Sequence, residues 1–172
     1  MSITRNPVLK TGVGVPMSTP PTISRINANV PNVTYLLCAV KLSDLDKKIS
    51  SISVGALLTT NDDINILLIK NPTIANEPAY TDFLDENSNP LGAQYIRGNF
   101  VTNPSITTIT GGQQIWSAPI GRFTRTIDNK EVNIGSLTGV TGGAADVFAL
   151  AVRPTPDGTN SDVYGLINLI LE

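Results

Sequence analysis

The chain reads as an all-β protein: an antiparallel β-sandwich of the jelly-roll kind, preceded by an extended N-terminal arm. Three observations predict this. Charged residues are only 15% of the 172, against an apolar fraction of 41%. Turn formers and β-branched residues fill the place that charge takes in an average domain. Short apolar or alternating runs recur at close intervals, bounded by Gly, Pro, Asn or Asp. No stretch carries the period of a long amphipathic helix, and strands without helical crossovers pair antiparallel. Eight such strands in two sheets make a jelly roll.

The opening, MSITRNPVLKTGVGVPMSTPPTISRINANVPN, has five prolines and no sustained period. Its charged residues are Arg5, Lys10 and Arg25, a formal +3. The whole chain is −2, so the remainder is −5. This asymmetry suits an interaction tail. Residues 1–32 are therefore expected to form an extended basic arm, and residues 33–172 a β-sandwich body. Pro-rich chain is already extended and loses less entropy on docking.

After Pro31 the composition changes. NVTYLLCAVKL (32–42) is a buried strand by its β-branched and apolar density. SDLDKK (43–48) suits a short helical turn capped by Ser43 or a polar hairpin connection. ISSISVGALLTT (49–60) alternates, NDD turns, and INILLIK (64–70) is apolar throughout. NPTIANEPAYTDFLDENSNPLG (71–92) has three prolines and a formal −4. It reads as a long excursion with one helical turn near Tyr80–Leu84, and loops of that length are often functional.

AQYIRGNFV (93–101), ITTIT (106–110), IWSAPIG (115–121) and RFTRTID (122–128) are further strands. EVNIG (131–135) is a brief edge element and SLTGVTGGAA (136–145) a loop. DVFALAVRP (146–154) and DVYGLINLILE (162–172) are strong strands. LINLIL is apolar at nearly every position, so the last strand should be central to a sheet or covered by a neighbouring subunit.

The chain contains no histidine and one cysteine, Cys38. Ser–His–Asp and Cys–His devices are thereby excluded, as are an intramolecular disulfide and an ordinary zinc site. Cys38 sits in an apolar run and reads as a buried hydrophobe. The glycine-rich 135–146 lacks the G-K-[ST] ending of a phosphate loop. Asp82, Asp85, Glu86 and Asn87, and Asp157, Asn160 and Asp162, contain oxygens that suit calcium, but turn formation explains them with fewer assumptions. No catalytic, metal or cofactor site is expected, and the chain is read as a non-enzyme. A net charge of −2 gives no reason to expect nucleic acid or membrane as a partner. No apolar run reaches membrane-spanning length, and no secretory leader is recognisable.

Two surfaces remain as candidates. In the arm, Arg5, Val8, Leu9, Lys10 and Arg25 alternate apolar and basic character suited to an acidic, grooved partner. In the body, Tyr80, Phe83 and Trp116 are the aromatics that an exposed recognition surface would use.

The extended TRNPVLKTG…VPMSTPP start, the strand-turn ILLIKNP, the ITTITGGQQIWSAPIG hairpin and the closing DVYGLINLILE together resemble virion surface proteins of tailed bacteriophages. The resemblance is to the decoration and head-fibre type, and it covers the whole chain loosely. It implies a jelly-roll-like body, a homotrimer, and a terminal arm holding the major capsid protein or another virion protein. Location in the virion, after assembly in the host cytoplasm, is implied with it. The alternative is a receptor- or glycan-binding module of a tail fibre or spike, working through 71–92 and Trp116.

Overall fold

The computed structural model describes residues 11–14, 24–28, 30–60, 62–98, 107–121, 124–132, 139–156 and 161–171. Their strands, in chain order, are β1 (Thr11–Gly14), β2 (Ser24–Ala28), β3 (Tyr35–Leu42), β4 (Ile49–Leu58) and β5 (Ile64–Lys70). Then come β6 (Thr73–Ala75), β7 (Thr81–Leu84), β8 (Pro90–Arg97), β9 (Thr108–Thr110) and β10 (Gln113–Ile120). The last five are β11 (Thr126–Val132), β12 (Val140–Thr141), β13 (Ala144–Ala145), β14 (Phe148–Pro154) and β15 (Ser161–Leu171). Among the described residues there is no helix, as the absent helical period predicts.

Eight of these strands make the body: β2, β3, β4, β5, β10, β11, β14 and β15. The first pairs with the last, the second with the seventh, the third with the sixth and the fourth with the fifth. That is the ladder of one long hairpin. Folding it over brings β4 beside β15 and β5 beside β14. The products are sheets ordered β2–β15–β4–β11 and β10–β5–β14–β3. This is the strand order of a jelly roll, with every pairing antiparallel.

The main core lies between the two sheets. β15 alternates buried and half-buried along its whole length, so one face is dry and the other wet. Val163, Ile167, Leu169 and Leu171 point inward against Leu37, Val40, Leu68, Leu150 and their neighbours. The strand is central, with β4 on one edge and β1 and β2 on the other. Its apolar run thus reflects a central place in the sheet, with burial on one face only.

The β3–β14 pairing contains a bulge, the register shifting between Leu150 and Ala151. The extra residue puts both Leu37 and Cys38 into the main core, between the outward-facing Leu36 and Ala39. At the far end of β4, the register shifts opposite Ile170 and Leu171. There the Ser50 hydroxyl donates to the Ile170 carbonyl at 3.1 Å, occupying an acceptor beside the irregular ladder.

Residues 71–112, between β5 and β10, are an insertion that builds on the fold. β8 and β7 extend the second sheet beyond β3, and β6 pairs with β9. A second apolar cluster forms on the outer face of that sheet. Leu36, Ala39, Leu67, Ile69, Ala149 and Ala151, with Ile96 of β8 beside Ala39, pack with Ile74, Tyr80 and Ile109. Burial on both faces explains why β3 and β14 read as nearly unbroken apolar runs.

Several expectations are corrected. Tyr80–Leu84 holds no helical turn: Thr81 and Asp82 pair with Tyr95 and Gln94. Residues 43–48 are turns, tied by Ser43 and Asp44 N–H groups donating to the Gly92 carbonyl. Part of 136–145 is a hairpin, β12–β13, closed by Gly142 and Gly143, both at positive φ. That geometry matches the twist of paired strands. The body also begins before residue 33. β2 is a full strand of the first sheet, and Ile26 and Ala28 are buried in the core at 1% and 0% exposure.

Candidate functional site

The described residues carry three features with chemistry to weigh. The first is a buried polar knot where β5 meets β14. The Asp146 carboxylate is 4% exposed. It accepts hydrogen bonds from Asn71 Nδ2 at 2.7 Å and Thr141 Oγ1 at 2.8 Å, with Lys70 Nζ 3.6 Å away. Asn71 in turn accepts from the Val147 N–H at 2.8 Å and donates its own N–H to the Val147 carbonyl at 2.7 Å. Both oxygens of the carboxylate have a hydrogen-bond partner within the fold. The work of the knot is to fasten the β12–β13 hairpin and Asn71 to the end of β14. Sequence reading missed it. Its signal was an Asp between a glycine-rich loop and an apolar strand, facing an Asn-Pro across the sheet.

The second feature is the outer side of the insertion. Tyr80 is half-buried in the second cluster, and Lys41 Nζ stands 3.9 Å from its ring centroid. Burial first, and the charge of Glu77 second, push the Tyr80 hydroxyl well above its ordinary range. At the tip of the β7–β8 hairpin, Asp85 Oδ1 accepts from the N–H groups of Asn87 and Asn89 at 2.8 and 2.9 Å. Asp82 accepts from Gln94 Nε2 at 2.9 Å. These carboxylates organise their own turn and strand pair. Among the described residues no group of three or more His, Cys, Asp or Glu is placed to hold a metal ion.

The aromatic trio does not form one surface. Phe83 on an exposed surface is corrected outright: it is 5% exposed, packed in the main core, with its ring centroid 4.7 Å from that of Tyr95. Tyr80 belongs to the opposite side of the same sheet. Trp116 is on β10, at the other end of that sheet, with β5, β14, β3 and β8 between it and β7. Five strand spacings at about 4.8 Å put roughly 24 Å of sheet, measured along its surface, between β10 and β7. Trp116 is half-buried at a bulge in β10 and packs against the core.

The third feature is the N-terminal segment. Arg5, Val8, Leu9 and Lys10 lie outside the described residues. Arg25 is in β2, in register with Tyr164 of β15. β1 and β2 share one edge of β15: Thr11–Gly14 pair with Leu171–Asn168, and Ser24–Ala28 with Gly165–Ser161. The arm is thus partly strand, laid in two pieces along the last strand of the chain.

No protein-family model, curated protein or solved structure matches the chain.

Proposed function

We propose that the protein is a non-enzymatic virion component that decorates or stabilises the capsid of a tailed phage, held there by its N-terminal segment. The observation that carries this reading is the placement of that segment. Thr11 enters the first sheet beside Leu171. The residues before it, with Arg5 and Lys10 and no acid, are attached to a fixed point at one end of the sandwich. An anchor needs such a fixed attachment, since a flexible link would dilute its grip on a surface.

The jelly-roll body supports the reading by analogy, since capsid and lectin domains share that architecture. Exposed ion pairs contribute about 1 kcal/mol or less each, so Arg5 and Lys10 alone are a weak anchor. Burial of Ile3, Val8 and Leu9 on the partner, repeated over the copies of a homotrimer, would supply the rest.

The test is deletion of residues 2–10, which spares every described strand. Capsids of the encoding phage would be offered the full-length and shortened proteins and their occupancy compared. Loss of at least tenfold in apparent affinity is expected, and unchanged occupancy overturns the anchoring role. The glycan-binding alternative would need Trp116 to work without Phe83, which is in the core.

A further inference from the structure

The β6–β9 ribbon continues the β5–β10 ladder, bent over. Lys70 of β5 is opposite Gln113 of β10, and Thr73 of β6 is opposite Thr110 of β9. Between these pairs one strand turns at Asn71–Pro72 and the other at Gly111–Gly112. Asn71, Gly111 and Gly112 all have positive φ, a backbone that turns the chain sharply. The two turns touch: a Cβ on Gly112 would lie 2.8 Å from Pro72 Cα and 2.8 Å from Ile69 Cγ2. This corner is also fastened, because Asn71 exchanges hydrogen bonds with Val147 and donates to Asp146.

Beyond the corner the ribbon is held lightly. Only Ile74 and Ile109, opposite each other, bring apolar side chains of the ribbon onto the second cluster. Thr73, Ala75 and Thr110 are exposed. Among the described residues, the ribbon's ladder contact with β3 is Tyr35 opposite Thr108 and nothing more. Two hydrogen bonds flank it: the Leu36 N–H donates to the Thr107 carbonyl at 3.1 Å, and the Ile109 N–H to the Thr34 carbonyl at 2.9 Å. Thr107 leads into β9 and Tyr80 follows β6. Their hydroxyls are buried and have no hydrogen-bond partner among the described residues. A buried hydroxyl without a partner opposes the closed arrangement, and water satisfies it in an open one.

From this geometry we infer that the ribbon is a flap: it swings off the second sheet about the fastened corner at Asn71 and Gly112, taking Thr107 and Tyr80 into water, while the sandwich stays folded. Opening breaks the two flanking hydrogen bonds and the packing of Ile74, Ile109 and Tyr80. A unit held by so few contacts belongs to the low-stability end of a structure. Opening uncovers Leu36, Ala39, Leu67, Ile69, Ala149 and Ala151, so the position of the flap decides whether the outer face of the sheet is covered or apolar. The inference stands apart from the virion reading.

Amide hydrogen exchange, followed residue by residue on the full-length protein by NMR, provides the test. Leu36 is 0% exposed and lies within a core strand, yet its N–H is bonded to the flap. It should exchange together with Ile109, at least about 100-fold faster than Leu150. In low urea the rates at Leu36 and Ile109 should hardly change while that at Leu150 climbs, since opening the flap exposes little surface. Tyr80→Phe removes one unpartnered hydroxyl and should slow both amides at least about fivefold.

Leu36 exchanging as slowly as Leu150, with the same urea dependence, overturns the flap, because the ribbon then opens only with the whole fold. Fast Ile109 beside slow Leu36 overturns it too, since β9 then frays alone. Unchanged or faster exchange in Tyr80→Phe shows that the hydroxyl is satisfied in the closed form and overturns the tension on which the flap rests.

Discussion

Gly165 sits on β15 facing Leu37 and Leu150 of the other sheet. A Cβ there would lie 2.7 Å from Leu37 Cδ1, 3.1 Å from Leu150 Cδ2 and 3.2 Å from Leu37 Cβ. Carbon atoms prefer about 3.5–4.0 Å. Leu37 is the residue that the β3 bulge pushes inward, so this glycine is its socket. Rotating the Leu37 side chain can move Cδ1 away. It cannot move Cβ, and both leucines are fully buried. Gly165→Ala therefore forces a backbone shift of a few tenths of an ångström or an off-rotamer leucine. Overpacking of this kind costs about 1–3 kcal/mol, offset by about 0.5–1 kcal/mol from replacing a strand glycine.

The net expectation is a loss of about 1–2 kcal/mol, with Tm lower by about 2–8 °C. Urea denaturation followed by Trp116 fluorescence would measure it, the m-value staying constant. Leu37→Ala alone should cost about 2–5 kcal/mol. In the double variant the two changes should be non-additive by about 1 kcal/mol, because the added methyl then has room. A neutral or stabilising Gly165→Ala, or an additive cycle, would refute the account of the bulge and its socket.

Gly98 serves the same bulge from within the sheet, its N–H donating to the Leu37 carbonyl at 2.8 Å. A Cβ there would meet the Leu36 carbonyl oxygen, which is backbone and cannot swing aside. Gly98→Ala should therefore cost more than Gly165→Ala, about 3 kcal/mol or above in the same assay. Asp146→Ala should cost about 2–4 kcal/mol, with Asp146→Asn less damaging because one acceptor survives. Faster hydrogen exchange at Val140 and Ala145 would report the released hairpin. The Asp85 carboxyl is held below its ordinary range, chiefly by the Asn89 N–H and further by Asn87. Its contribution to stability is therefore present above the unfolded-state value near pH 4 and lost as pH falls through the lower folded value. NMR titration should find the Asp85 carboxyl titrating below the ordinary aspartate value, and Asp85→Asn should flatten that part of the acid limb.

The strands were legible because each carries its own evidence. Alternation in ISSISVGALL and unbroken apolar character in INILLIK follow from one-sided and two-sided burial. Their order was not legible, since β2 with β15 and β4 with β11 pair across long stretches of chain that no local pattern records. The insertion was misread for a related reason. β6 and β7 are too short to show a period, and YTDFL has apolar residues spaced as well for a helical turn as for a strand. What settles it is pairing with β8.

Aromatic type likewise does not say which face a side chain takes. Tyr80 and Phe83 are three residues apart, a spacing that shares a face in a helix but falls on opposite sides of an extended chain. β2 left a faint trace, Ile26 and Ala28 alternating with Arg25 and Asn27, submerged among prolines and polar residues.

That faint trace changes how the arm must be tested. A deletion of residues 2–30 looks harmless if everything before residue 33 is tail. It would remove β2, and with it Ile26 and Ala28 from the sealed core. Losing a buried isoleucine side chain costs about 2–5 kcal/mol. The deletion would also strip five ladder positions from β15 at Ser161–Gly165. Against a typical total of 5–15 kcal/mol, little stability would remain. The unpaired edge would then invite aggregation. The 2–30 deletion is thus expected to unfold at least 10 °C lower or to precipitate, while the 2–10 deletion keeps its Tm within about 2 °C. Only the shorter deletion can separate a lost anchor from a lost fold. A 2–30 deletion with full-length Tm would show that β2 contributes nothing, and the arm would then extend to residue 32 after all.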